Sequence, residues 1–547
     1  MTKSNIELTT ELGKNQHDIE AALSELSDNK IISRIWLHDH TVWKPNPTEI
    51  TNRMGWLDIA ERMSVEVNRM NALKNQLQVE GYTQALLLGM GGSSLAPDVF
   101  SKTFRSDVSG LDLRVLDSTD PGAILDQLSR LNLSQTIFIV STKSGGTVET
   151  LSLFKFFYNK VLSEFGENEA GLHFIAITDP GSKLEILAKE LKFRQTFLND
   201  PNIGGRFSVM SFFGLVPAVL VGLDITKLIE QTIKMAQACR EVDSIVQNPG
   251  ALLGAIMGVL NQKGQDKITF VASPKILSFG DWVEQLIAES TGKAGKGILP
   301  VVGEKLGKAN VYGNDRIFVN LRLGDDDAAI PALKDLAHAG HPVLHLQLND
   351  IYDFGAQFFL WEFATTVASY FLKINPFDQP NVESAKIQAR KMVAEYEKTG
   401  KLPLVHYQAL SEDTIDSFLT SSSPGDYISL QAYINPTPEA KKALSKIRHN
   451  LRDKYKLATT LGFGPRFLHS TGQLHKGDAG NGLFIQFTSE TQDDLPIPDH
   501  PGTNSSKISF ETLKISQALG DAAALEEKKR RLIRIKINHI QDLQTLI

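Results

Sequence analysis

A chain of 547 residues is too long for one ordinary hydrophobic core, so two or three domains are expected. With 42% hydrophobic residues, 22% charged residues and a net charge of −6, the composition is globular and gives no pull toward nucleic acid or an anionic membrane surface. The single cysteine, Cys239, excludes an intrachain disulfide and a cysteine metal cluster, which fits a reducing, cytoplasmic compartment.

The N-terminal stretch "MTKSNIELTTELGKNQ" is polar and carries acids, unlike a secretory signal or a transit peptide. Residues 1–80 read as an N-terminal helical segment. From about residue 81 a rhythm sets in. "ALLL" (85–88) leads into "GMGGSS", "LRVLD" (113–117) into "STDPG", "TIFIV" (136–140) into "STKSGGT", and "FIAIT" (174–178) into "DPGSK". Each is a short β-rich run, then small-residue punctuation, then a helical pattern, which predicts a parallel sheet covered by helices over 81–250. Val148, Leu151, Phe154, Tyr158, Val161, Leu162 and Phe165 fall on one face of the helix after the third run. The apolar stretch 207–225 has the length of a membrane span, but Pro217, Gly214, Ser208 and Ser211 interrupt it. A buried core helix is expected.

After "VQNPG" (246–250) the rhythm restarts. "KITFVAS", "RIFVNLRL" and "PVLHLQL" predict a second parallel sheet over 251–425, with helices near 281–291, 326–340 and 354–372 between and after its strands. Residues 426–547 add the strands "YISLQAYI" and "LFIQFT" around a glycine-rich stretch, and read as a C-terminal α/β extension packed on the second domain. "DLPIPDHPGTNSS" reads as an exposed loop, and the basic run "EEKKRRLIRIK" as a solvated helix face rather than a nucleic-acid contact.

Strand ends that open helices through small residues make anion sites, because backbone N–H groups converge there and the helix dipole adds positive charge. In "STKSGGT", Thr142, Ser144 and Thr147 offer hydroxyl donors and Lys143 offers charge. Two readings stand: a phosphate cradle, or a capped turn whose hydroxyls serve only the backbone. "GMGGSS", with Gly92 and Ser93, sits one βαβ step away and favours a small phosphorylated molecule in the crevice between the two. Neither loop is a dinucleotide fingerprint or a P-loop.

Further along, "GGRFSVMS" places Arg206 just before a buried helix, where a cation is unfavourable unless a ligand faces it. "LIAESTGKAGKG" ends an apolar helix on Glu289; a carboxyl in apolar surroundings suits a general base, and an exposed helix-end glutamate is the plain alternative. "NPFDQPNVESAK" places Lys386 in the first turns of a helix, and "FLHSTGQLHKG" offers His469 and His475.

Taken together, "GMGGSSL", "STKSGGTVET", "GGRFSVMS", "ESTGKAGKG" and "NPFDQPNVESAK" resemble, in order and spacing, the glucose-6-phosphate isomerases, over about residues 50–400. The tail "LGFGPRFLHSTGQLHKG" resembles the isomerase half of fused transaldolase–isomerase proteins; without a transaldolase portion, a stand-alone relative or an excised half is implied. The resemblance implies two SIS-type, flavodoxin-like domains, each a parallel sheet flanked by helices. It implies interconversion of glucose 6-phosphate and fructose 6-phosphate through ring opening and a cis-enediol, with no metal or organic cofactor. By motif, Thr142, Ser144 and Thr147, with Lys143 beside them, match the phosphate donors, and Gly92 and Ser93 the second sugar-phosphate loop. Glu289 matches the base, Arg206 the cation facing the enediolate, and Lys386 the lysine that assists ring opening. "HSTGQ" matches the family's ring-opening histidine at His469, but after Lys386 in chain order rather than before it; His338 sits at the usual chain position without the pattern. In the family that histidine reaches in from a second subunit, so a homodimer with shared active sites is implied. Family members usually carry a hydroxyl residue where Gly146 stands here. Two alternatives remain: a non-catalytic sugar-phosphate-binding SIS protein, and an isomerase that also accepts mannose 6-phosphate.

Overall fold

The computed structural model describes residues 7–104, 109–491 and 493–546. Strands Gln84–Gly89, Thr136–Ser141 and Phe174–Thr178 are nearly continuous apolar runs, and that composition suits only a sheet covered on both faces. They form a five-stranded parallel sheet in the order Asp112–Leu116, Gln84–Gly89, Thr136–Ser141, Phe174–Thr178, Gln195–Leu198. The chain enters at Gln84–Gly89, moves out to the edge at Asp112–Leu116, and returns on the other side of its starting strand. The strand order therefore reverses between Gln84–Gly89 and Thr136–Ser141, where connections diverge and leave a crevice at the carboxyl ends. Both small-residue loops singled out in the sequence leave from those two ends.

Helix Val148–Phe165 covers this sheet, but not on the single face predicted. Val148 is 48% exposed, while Phe156 and Phe157 are buried. The helix is covered on two sides, with Phe157 on Phe138 of the sheet and Phe156 edge-on to Phe510 of the C-terminal region. The apolar stretch near 212 is the helix Phe212–Val221, buried throughout. Among the described residues no helix is long and apolar enough to cross a membrane.

A second sheet has the order Glu7–Glu11, Val343–Leu348, Arg316–Leu323, Lys267–Ala272, Leu299–Val301. Its four later strands are parallel, and Glu7–Glu11 adds antiparallel at the edge. The N-terminal segment is thus helical from Gln16–Asp28 onward but begins by donating a strand to a sheet formed more than 250 residues later.

The C-terminal region builds a sheet of its own, parallel throughout: Ala458–Phe463, Tyr427–Tyr433, Gly482–Ser489, Arg531–Ile537. The basic run expected as a solvated helix face supplies its last strand. Ile533, Ile535 and Ile537 point inward at every second position, so the period is that of a strand. This layer touches both earlier sheets. Phe510 and Leu513 join the apolar cluster of Phe154 and Phe156, and Tyr427, Phe484 and Leu525 join Ala288, Leu299 and Val301. Helix Phe510–Glu527 lies against helix Val382–Thr399 at Gly520, where a Cβ would fall 2.6 Å from the Ala389 nitrogen.

Candidate active site

Thr142, Lys143, Ser144 and Thr147 follow the buried strand Thr136–Ser141 and stand before helix Val148–Phe165. Thr147 is the N-cap residue, yet its side chain caps nothing; its hydroxyl lies 2.9 Å from that of Thr142 instead. The capped-turn reading fails at Thr147, while Ser144 Oγ does serve the backbone by accepting from the Gly146 N–H at 3.2 Å. Lys143 neither reaches solvent freely nor stands as an open charge, because it pairs with Asp179 and donates to the Pro201 carbonyl at 3.0 Å. Gly145 has φ +67°, and a Cβ there would lie 2.3 Å from the Leu184 nitrogen, so the turn admits only glycine.

Gly92 and Ser93 occupy a short turn, Gly91–Ser93, before helix Leu95–Phe104. A Cβ on Gly92 would sit 2.1 Å from the Gly205 carbonyl oxygen. That close approach of two backbones sets Arg206, the residue after Gly205, beside the Gly91–Ser93 turn. Arg206 is buried at 4% exposure and is held on every side. Its Nε donates to Ser290 Oγ at 2.8 Å, and one terminal nitrogen donates to the Pro376 and Asp378 carbonyls at 2.5 and 3.1 Å. Its other terminal nitrogen faces Glu289 at 3.7 Å. Burial holds the guanidinium below its ordinary value, against the pull of the Glu289 and Asp378 charges.

Glu289 is not an exposed helix-end acid. It lies in the last turn of helix Phe279–Thr291 yet is only 6% exposed, and Gln285 Nε2, one turn earlier, donates to it at 2.9 Å. The same Gln285 nitrogen donates to the His469 carbonyl at 2.8 Å, tying the carboxylate to the histidine turn. His469 ends the turn Arg466–His469, and its Nε2 is 2.9 Å from Glu149 Oε1. Burial pushes the Glu149 carboxyl up, but the charge and hydrogen bond of His469 outweigh it and hold the group below the usual carboxylate range.

These groups converge. One cavity of about 420 Å³ is lined by Gly92, Ser93, Thr142, Lys143, Ser144, Thr147, Arg206, Glu289, Lys386 and His469, together with Gln285, Gln379 and the loop Asp179–Ser182. Its size suits a small-molecule ligand. Lys386 is exposed on the fifth position of helix Val382–Thr399 and faces this cavity from the rim. His338 ends helix Ile330–His338, is exposed, and does not line the cavity. His475 is buried among Tyr427, Phe467 and Phe484, and burial pushes its imidazole well below the ordinary value.

His469 reaches the cavity from the same chain that supplies Glu289 and Lys386. Delivery of this side chain by a second subunit is not needed to place it in the cavity. The C-terminal sheet folds back over the carboxyl ends of the first sheet and brings its own histidine.

Several residues of the site were given no role from the sequence, although Glu149, Lys293 and Gln379 lie inside the quoted motifs. Glu149 reads as an ordinary acid in a helix's first turn, and only the covering C-terminal layer buries it. Gln285 and Gln379 are uncharged, and Gln379 stands within "NPFDQPNVESAK", the motif singled out for Lys386. Lys293 is buried at 4% exposure and donates to Asp378 Oδ1 at 2.7 Å, bracing the segment whose carbonyls hold Arg206. Burial and the like charge of Arg206 push it down to about 8.

Gly146 has room that Gly145 lacks. A Cβ there meets only Ser144 Oγ, at 3.7 Å, and no positive φ forbids it. Gly146→Ser is expected to leave the fold intact and to tighten sugar-phosphate binding by about twofold to fivefold through one added donor. Titration of wild type and variant with a sugar phosphate by calorimetry checks this; weaker binding would place the phosphate elsewhere.

Hydroxyl-lined loops at the switch point of a parallel sheet, with a buried carboxyl, an arginine and an imidazole opposite, define an SIS-type α/β protein of the sugar-phosphate class. The family model described as Phosphoglucose isomerase matches residues 61–298. Relatives named glucose-6-phosphate isomerase include one from Prochlorococcus marinus (strain NATL2A), 28% identical over 68% of this chain and 77% of its own length. Another, from Acholeplasma laidlawii (strain PG-8A), is 28% identical over 61% of this chain and 88% of its own. The crystal structure of a glucose-6-phosphate isomerase from Chlamydia trachomatis D/UW-3/Cx superposes with a TM-score of 0.62 at 15% identity, over 72% of this chain and 89% of that one. Over the matched residues the chain is similar to the glucose-6-phosphate isomerases, and it shares their fold. The family-model match takes in the two loops, Arg206 and Glu289, whereas Lys386 and His469 lie beyond it.

Proposed function

We propose that this chain interconverts glucose 6-phosphate and fructose 6-phosphate, as its relatives' names state for them. The reading rests on one observation above the others: ten residues chosen from the sequence, from Gly92 to His469, line a single cavity. Thr142, Ser144 and Thr147, with Gly92 and Ser93 across the crevice, hold the phosphate, and Lys143 braces their turn through Asp179. His469 and Lys386 move the protons that open the ring. Glu289 takes the proton from C2 and returns it to C1, so the substrate is oxidised at one carbon and reduced at the next with no outside electron acceptor. Arg206 faces Glu289 at 3.7 Å, where it offsets the negative charge that develops on the enediolate oxygens.

On this reading two SIS-type units, 81–250 and 251–425, frame the cavity and residues 426–547 complete it. Any homodimer then pairs self-sufficient sites rather than sharing them. A coupled assay with glucose 6-phosphate on purified protein is expected to show turnover, with specific activity unchanged on dilution through the range where light scattering reports only monomer. An intact fold without turnover would instead support a non-catalytic sugar-phosphate-binding protein. The same assay with mannose 6-phosphate tests the wider specificity, since C2 epimers differ only in how they fill the cavity.

A further inference from the structure

The contacts that hold His469 do not end at Glu149. Glu149 Oε1 also accepts from Gln517 Nε2 at 2.7 Å, and Gln517 Oε1 accepts from Thr119 Oγ1 at 2.8 Å. Gln517 lies on helix Phe510–Glu527 of the C-terminal layer, is 3% exposed, and does not touch the cavity. A carboxylate buried as Glu149 is must be met by donors. A lysine or arginine in that role would compete with the imidazole for the charge; a glutamine meets it while remaining neutral. The carboxylate sets the amide's orientation, because on inversion the amide oxygen would face it; the Thr119 hydroxyl, able to donate or accept, donates to the amide oxygen from the far side. Thr119 follows the edge strand of the first sheet, so the chain of contacts is anchored in two layers.

We propose that Gln517 is a positioning residue for ring opening: it pins the Glu149 carboxylate so that Oε1 meets His469 Nε2 and leaves Nδ1 as the nitrogen that exchanges a proton with the sugar. Binding of the ring nitrogen to a fixed acceptor sets which nitrogen carries the hydrogen. Gln517 touches neither substrate nor the reacting atoms. It acts on the imidazole through Glu149 and does not line the cavity that the phosphate loops share. The inference rests on the isomerase reading for the reaction it serves, but the placement of the imidazole hydrogen does not depend on turnover.

The test uses the full chain carrying Gln517→Leu, which keeps the shape and removes the donor. It is expected to lower kcat about tenfold with KM for glucose 6-phosphate within about twofold. Nitrogen-15 spectra of the His469 ring are expected to show Nε2–H as the single neutral tautomer in wild type and a mixture in the variant. Thr119→Val, which frees the amide but spares both carboxylate and imidazole, is expected to move both readouts the same way by less. Should Gln517→Leu not fold, Gln517→Glu keeps the side-chain length and sets a second acid against Glu149, and the same loss in kcat with the same tautomer mixing is expected. Unchanged kcat together with unchanged ring signals in the variants would overturn the proposal. Absence of turnover in the wild type would sink the isomerase reading alone, because the ring spectra would still decide the placement.

Discussion

Glu289→Gln is expected to lower kcat by about a thousandfold or more while binding of glucose 6-phosphate stays within a few fold. Loss of a positioned general base costs about 10²–10⁴ in rate, and in the proposed mechanism the same carboxylate acts twice, once at C2 and once at C1. The substitution keeps shape and volume. The new amide oxygen still accepts from Gln285 Nε2, whose present bond to Glu289 is 2.9 Å, so the turn that carries His469 remains tied. Arg206 loses a charge partner at 3.7 Å but keeps its bonds to Ser290, Pro376 and Asp378. Exchange of the C2 hydrogen with deuterated solvent gives a second readout and should disappear with turnover. If calorimetry showed that binding collapsed instead, Glu289 would be a structural residue and the base would lie elsewhere in the cavity.

The largest effect on stability is expected at Arg466→Leu. Arg466 opens the turn that ends at His469 and is the joint between the C-terminal layer and both earlier ones. Its terminal nitrogens donate to Asp117 at 2.8 Å and Asp98 at 2.8 Å, from the first unit, and to Asp281 at 3.2 Å, from the Glu289 helix. Removing the guanidinium leaves Asp98 and Asp281 sharing Lys102 and takes from Asp117 its paired cation, and the Asp98 and Asp117 side chains are only 10% and 12% exposed. Breaking one buried pair from one side costs about 3–5 kcal/mol, and partial exposure of Asp281 places the expectation near the lower end, about 3 kcal/mol. A fall in the urea midpoint and in Tm checks it, and kcat should fall with them as His469 loses its mooring. An unchanged midpoint would show that the three acids relax into solvent and that the joint is held by apolar contacts.

The same cluster sets an acid dependence. Burial pushes Asp98 up, but Arg466 and Lys102 overcome it and hold the carboxyl at about 2. A depressed carboxylate contributes stability that is present above its ordinary value near 4 and is lost as pH falls toward 2. Asp117 works in the opposite sense, since burial holds it above its ordinary value in spite of Arg466. The net acid dependence of the joint is therefore shallower than Asp98 alone would give.

Much of the fold was legible because apolar runs of strand length recur with small-residue punctuation. "FIAIT" is the strand Phe174–Thr178 residue for residue, and "TIFIV" lies within Thr136–Ser141. Strands with weak or misleading patterns were not legible. Glu7–Glu11 is polar and gains its place only from an edge formed by Val343–Leu348, and Arg531–Ile537 hid its alternation of isoleucines beneath a basic composition. The site divides along the same line. Hydroxyls, glycines and charges at strand ends announce themselves, because few structural needs put a cation at the start of a helix or two glycines beside three hydroxyls. Glu149 and Gln517 do not, since their chemistry comes from burial, and burial is conferred by a layer far along the chain.

By itself the sequence pointed to the class of chemistry and to most of the residues that line the cavity, because a residue's donors, charge and backbone freedom are local properties. Only the tertiary structure decided which histidine faces the cavity, that it comes from the same chain, and that Lys143 is spent on Asp179. Those are facts of distance between groups separated by tens to hundreds of residues. They depend on how three sheets stack and where the C-terminal layer closes over the first, and no local pattern encodes that closure.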